Sequence, residues 1–160
     1  ASTKDPFNSV IETFYYDSTD RTHTSGADLS QTWTRKTNYL TANKNGGMSN
    51  SSGIWTFPST GVWSIAIKFE FYSSAATTYH GCMLEVTSDN STYNEVINAN
   101  TSTNASSVHS TIYMPYILNI TDTTNQKFKW SVLAQHQVTV RGGTGTNVTI
   151  AQFIKLCPSV

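Results

Sequence analysis

From Gly53 to Phe71 the chain reads GIWTFPSTGVWSIAIKFEF, and from Trp63 onward large apolar residues take every second position: Trp63, Ile65, Ile67, Phe69 and Phe71. Ser64, Lys68 and Glu70 stand between them. A period of two sends successive side chains to opposite faces of a strand, so this stretch predicts a long, half-buried antiparallel strand. Upstream, Ile54, Trp55 and Phe57 run into Pro58-Ser59-Thr60-Gly61, a turn in which proline fixes φ and glycine admits a positive one. The alternation recurs at Cys82, Leu84 and Val86, at Ile112 through Ile120, and at Phe128 through Ala134. TYNEVINA (92–99) reads as a weaker strand, QVTV (137–140) leads into a glycine-rich hairpin tip, and VTIAQFIKL (148–156) closes the chain. NKNGGMSNSSG (43–53) and NTSTNASSVHS (100–110) are loops by composition. Short strands separated by turn chemistry predict an all-β sandwich or barrel.

Composition agrees. Val, Ile, Thr, Tyr, Phe and Trp supply 64 of 160 residues, whereas Leu, Glu and Lys supply 17. Branched and aromatic side chains pack well on a pleated surface, which favours strands over helices. A chain of this length fits one domain with a core of its own.

Residues 1–31 leave two readings open. Phe7, Val10, Ile11, Phe14, Tyr15 and Tyr16 form an apolar cluster between polar ends. It is either an N-terminal arm that docks on a partner or the first strand of the sandwich, with the head then running from 32 to 160. With Trp33 and Trp55, these six residues are the candidate interface and attachment residues. Trp63 and Trp130 lie on apolar faces and are expected in the core.

Ten basic and ten acidic residues cancel, and no run of like charges occurs. A nucleic-acid partner is not expected, because such proteins need a basic stripe to displace counterions. No apolar run approaches the ~20 residues of a membrane-spanning helix, and the first residues show no apolar signal core. The four histidines, His23, His80, His109 and His136, have no metal-binding spacing, so no metal or cofactor is expected. Gly142-Gly143-Thr144-Gly145 precedes a strand-like run, not the helix that a phosphate loop requires. There is no Gly-x-Ser-x-Gly elbow, and the expectation is a protein without catalytic residues. Cys82 and Cys157 are read as two free thiols. Six Asn-x-Ser/Thr triplets, at Asn50, Asn90, Asn100, Asn104, Asn119 and Asn147, only mildly exceed what abundant Ser and Thr give by chance.

Three of these motifs carry a resemblance. GIWTFPSTGVWSI (53–65), the run Tyr116–Trp130 and the terminal NVTIAQFIKL resemble the globular heads of the complement/tumour-necrosis-factor-like superfamily. Together with Thr87–Tyr93 (TSDNSTY) and ITDTTN at 120–125, they look most like virion structural proteins of marine and cyanobacterial tailed bacteriophages. The resemblance covers residues 32–156. It implies a two-sheet antiparallel jelly roll of about ten strands, assembled as a homotrimer and without catalysis. As a virion protein, the trimer is expected to be a capsid-decoration (cement) protein on the particle surface, bound to the major capsid protein or another virion protein. The alternatives are a receptor-binding fibre tip that touches a host-surface glycan, and a secreted ligand of the same superfamily.

Overall fold

The computed structural model describes residues 9–37, 41–143, 146 and 148–160. Phe7, Asn147, and Thr144 and Gly145 of the glycine-rich tip lie outside them. Twelve strands occur among the described residues: β1 (Ile11–Tyr16), β2 (Arg21–His23), β3 (Trp33–Arg35), β4 (Ser49–Ser51), β5 (Ile54–Thr56), β6 (Gly61–Ser73), β7 (Thr77–Thr87), β8 (Asn94–Thr103), β9 (His109–Ile120), β10 (Lys127–Ala134), β11 (Val138–Val140) and β12 (Ile150–Cys157). They form two antiparallel sheets. The larger runs β2-β11-β6-β12-β1-β3, with β9 on the other edge of β6; the smaller runs β4-β5-β10-β7-β8.

β6 is the spine. Trp63, Ile65, Ile67, Phe69 and Phe71 are all essentially inaccessible, as the period-two pattern requires. They face Phe128, Trp130 and Val132 of β10 and Cys82 and Leu84 of β7 across the sandwich, and Phe153 of β12 beside them fills the same core. The turn before β6 is built as expected. Gly61 sits at φ +151°, and a Cβ there would meet Lys155 Cε at 2.5 Å and the Cys157 carbonyl at 2.8 Å. Trp63 Nε1 donates to the Ser59 carbonyl at 3.2 Å and locks the turn to the strand.

The N-terminal segment resolves as the first strand. β1 lies inside the larger sheet, paired with β12 from Ile11↔Ile154 to Tyr15↔Ile150 and with β3 on its other side. Val10, Phe14 and Tyr16 belong to the core. Glu12, also inward and almost fully buried, accepts hydrogen bonds from the backbone N–H of Gly47 (3.1 Å) and Met48 (2.8 Å) and an ion pair from Arg35. One carboxylate thereby clamps the 45–48 loop over the end of the sheet.

Strand β8 is longer than its pattern suggests. Asn100–Thr103, a loop by composition, continues the pairing with β7 through Thr101↔His80 and Thr103↔Thr77. Backbone pairing to an existing strand holds this polar tract extended regardless of its side chains. In contrast, the loops TSDNST and TDTTN turn as their sequences dictate. Asp89 Oδ1 accepts from the N–H groups of Ser91 and Thr92 at 2.9 and 2.8 Å, and Asp122 Oδ1 from that of Thr124 at 2.8 Å. These bonds hold both carboxyls well below the usual range, led at Asp89 by the Thr92 N–H and at Asp122 by the Asn125 side chain.

Candidate functional site: an open sheet face and an open seam

The two outer faces of the sandwich differ in chemistry. On the smaller sheet polar groups satisfy one another: Lys129 Nζ lies 2.9 Å from Asp28 and 3.6 Å from Glu85, and Ser131 Oγ bonds to both carboxylates. The larger sheet is different. Register places Ile117, Ser64, Ile154 and Ile11 in one row across β9, β6, β12 and β1. The next rows are Pro115–Ala66–Gln152–Thr13 and Tyr113–Lys68–Ile150–Tyr15. Ile117 and Ile154 flank the small Ser64, and Pro115 and Gln152 flank the small Ala66. Ile117 and Tyr113 keep 62% and 60% of their surface exposed, and Leu156 and Ile154 keep 46% and 42%. Single exposed apolar residues need no explanation, but a contiguous row of them marks an interaction surface.

Toward the Ser73 end of β6 this face becomes polar. Arg141 donates to Glu70 at 2.6 Å, Lys68 lies 3.5 Å from the same carboxylate, and the Tyr72 and His109 rings stack 5.3 Å apart. The apolar half and the charged half therefore lie at opposite ends of one face.

A second apolar surface lies on the flank. β8 and β9 are the edge strands of their sheets on the same side. Val86, Ile97, Ala99, Ile112, Tyr116 and Leu118 pack against the core there but stay partly open, so the sandwich does not close over its own interior. At the Gly61 end of this seam a pit of about 210 Å³ opens between Val86, Leu118 and Ile120, with Asn94, Asn119, Gln126 and Lys127 at its rim.

Ser110 Oγ and His80 Nε2 are 3.2 Å apart, the beginning of a nucleophile–base pair, but His80 is fully buried and its Nδ1 has no partner. A triad needs a third group there to orient the ring. His23 bonds the buried Tyr16 hydroxyl at 2.7 Å, and His109 lies 3.4 Å from Arg141. No group of three metal-ligating side chains occurs among the described residues.

The candidate interface residues divide accordingly. Val10, Phe14, Tyr16, Trp33 and Trp55 are internal, with Trp55 wholly inaccessible and Trp33 8% exposed, so they cannot serve as attachment points. The two tryptophans meet edge to face, with ring centroids 5.4 Å apart, and close the core between β3 and β5. Trp55 alternates with the buried Phe57 across Thr56, a signal only two residues long, and Trp33 has no apolar residue two positions away on either side. Ile11 and Tyr15 do reach the open face, half-buried within its rows. Phe7 lies outside the described residues. The exposed residues of β9 and β12 that dominate the face were legible in the sequence only as the off-phase positions of two alternating strands.

No family model matches the sequence, and no curated protein matches it. Solved structures do. The chain superposes on the Eiger TNF of S. frugiperda with a TM-score of 0.74 at 11% identity, covering 96% of each chain. It superposes on murine APRIL at pH 8.0 with a TM-score of 0.62 at 12% identity, covering 92% of this chain and 99% of that one. At these identities the likeness is one of fold: the chain is a TNF-like jelly roll.

Proposed function

We propose that this jelly roll is a non-enzymatic binding head that works as a homotrimer on the surface of a tailed-bacteriophage virion, as a capsid-decoration protein. One observation carries the assembly: the chain has two apolar surfaces of different shape, a flat sheet face and an open flank. In the proposed assembly the flank of one copy packs against the face of the next. Such a head-to-tail contact propagates around a ring when the rotation closes. The superfamily resemblance of the sequence supports three copies, and an obligate contact of this kind buries roughly 2,000 Å² or more. The virion role rests on the resemblance of GIWTFPSTG, TSDNSTY, ITDTTN and the FIKL end, in that order, to virion proteins of tailed bacteriophages.

Light scattering at micromolar concentration tests the trimer, and binding of the purified protein to undecorated capsids tests its role. A second reading is a secreted TNF-like ligand, favoured by the full-length likeness to Eiger TNF. Binding to cells but not to capsids decides for it. A positive glycan array together with a failed capsid assay decides for a fibre tip.

A further inference from the structure

The pit at the end of the seam has features that the rest of the flank lacks. Its floor is apolar, formed by Val86 of β7 and by Leu118 and Ile120 of β9, and its rim is polar. At about 210 Å³ it is smaller than the roughly 300–1,000 Å³ of sites that enclose a whole small molecule, but it has room for one side chain. It is continuous with the seam through Val86 and Leu118, which belong to both. It also opens at the Gly61 end of β6, since Gly61 pairs with Ile120, and at that end the outer face of the larger sheet carries Val62 beside Cys157 and the exposed Ile117 and Ile154 on either side of Ser64. A rotation about an axis along the strands keeps every residue at its own height. With the ring axis along the strands, the copy that covers the seam brings the apolar end of its face to the level of the pit and leaves its charged end, around Glu70 and Arg141, at the opposite end.

We propose that the pit is an anchor socket for a second copy of this chain, and that it receives an aliphatic side chain from the outward side of β12, Leu156 or Ile154. Both are large, apolar and about half exposed in the single chain. A small, desolvated socket ringed by polar groups is the arrangement in which one inserted side chain carries a disproportionate share of an interface. Asn94, Gln126 and Lys127 supply that ring.

The inference rests on the edge-on-face assembly proposed above, and its test separates the two. Asn94→Trp places an indole over the socket from an exposed rim position, and Leu118→Trp fills it from the floor. Leu156→Ala removes the inserted group, and Tyr79→Ala, at an exposed site on the smaller sheet, is the control. The trimer–monomer equilibrium is read by sedimentation velocity, and folding by near-UV circular dichroism. The expected result is a trimer whose dissociation rises about tenfold or more in Asn94→Trp and in Leu156→Ala. The double variant should be scarcely worse than either single one, because both remove the same contact. The Asn94→Trp result stands even if Leu118→Trp fails to fold. A trimer that tolerates Asn94→Trp and Leu156→Ala unchanged overturns the socket and leaves the assembly standing. A wild-type monomer overturns both.

Discussion

The rings of Trp55 and Phe153 lie 4.7 Å apart, one on β5 of the smaller sheet and the other on β12 of the larger. This contact, with Phe14 5.1 Å from Trp55 and Trp130 6.0 Å from it, sews the two sheets together through aromatic side chains. It makes Trp55 a residue of the core. Trp55→Ala is expected to cost about 3–5 kcal/mol, the range for emptying a large aromatic site. Ile154→Ser, on the open face, should leave the monomer's unfolding midpoint within about 0.5 kcal/mol of wild type, as at ordinary surface positions. Denaturant titration of both variants measures the contrast.

Removing residues 1–20 is expected to prevent folding, not merely to abolish docking. The deletion takes out β1 and leaves β12 without its partner along five residue pairs from Ile11↔Ile154 to Tyr15↔Ile150. A truncated chain with a native-like circular dichroism spectrum and a sharp melt would show that β1 is dispensable.

Glu12→Ala strands three donors at once: the N–H groups of Gly47 and Met48 and the Arg35 guanidinium. Arg35 is partly exposed and can turn to water, so the loss should come mainly from the two amides, about 1–3 kcal/mol. Hydrogen exchange at Gly47 and Met48 should quicken while the amides of β1 keep their protection. Unchanged protection there would mean that the clamp does not hold the loop.

Acid should weaken the fold. His80 is wholly buried against Phe71, and burial pulls its pKa below the ordinary histidine value of 6.5. Burial, and then the Arg21 charge, do the same to His23. The unfolded chain therefore takes up these protons at a higher pH than the native one. Stability is complete above the unfolded value and falls as pH drops through it toward the lower native values. The melting temperature is expected to decline from about pH 7 to about pH 5, and His80→Gln should flatten that slope. An identical slope in the variant would place the acid sensitivity elsewhere.

Both cysteines are free, and they differ in reach. Cys82 is inaccessible in the core, where burial pushes its thiol far above the reactive range, whereas Cys157 is half-exposed at the end of β12. A maleimide should label Cys82 only after denaturation. Rapid labelling of Cys82 in the native protein would show that the β7–β8 flank opens readily.

The sequence by itself determined what depends on local rules. The strict alternation from Trp63 to Phe71 placed five side chains in the core, because a strand has only two faces and only one of them is dry. The turn at Pro58–Gly61 and the Asx loops at Asp89 and Asp122 follow from the geometry of their own few residues. Tertiary structure decided what depends on partners distant in the chain. Val10–Tyr16 has no alternation, since Glu12 and Thr13 are also buried, and only the pairing of β1 with β12 and β3 makes it a strand within the sheet. Asn100–Thr103 is loop-like in composition and strand in fact, because β7 supplies its backbone hydrogen bonds. The open face was invisible for the same reason. Ile117 and Ile154 lie 37 positions apart, and only the register of β9 and β12 on either side of Ser64 brings them into one row.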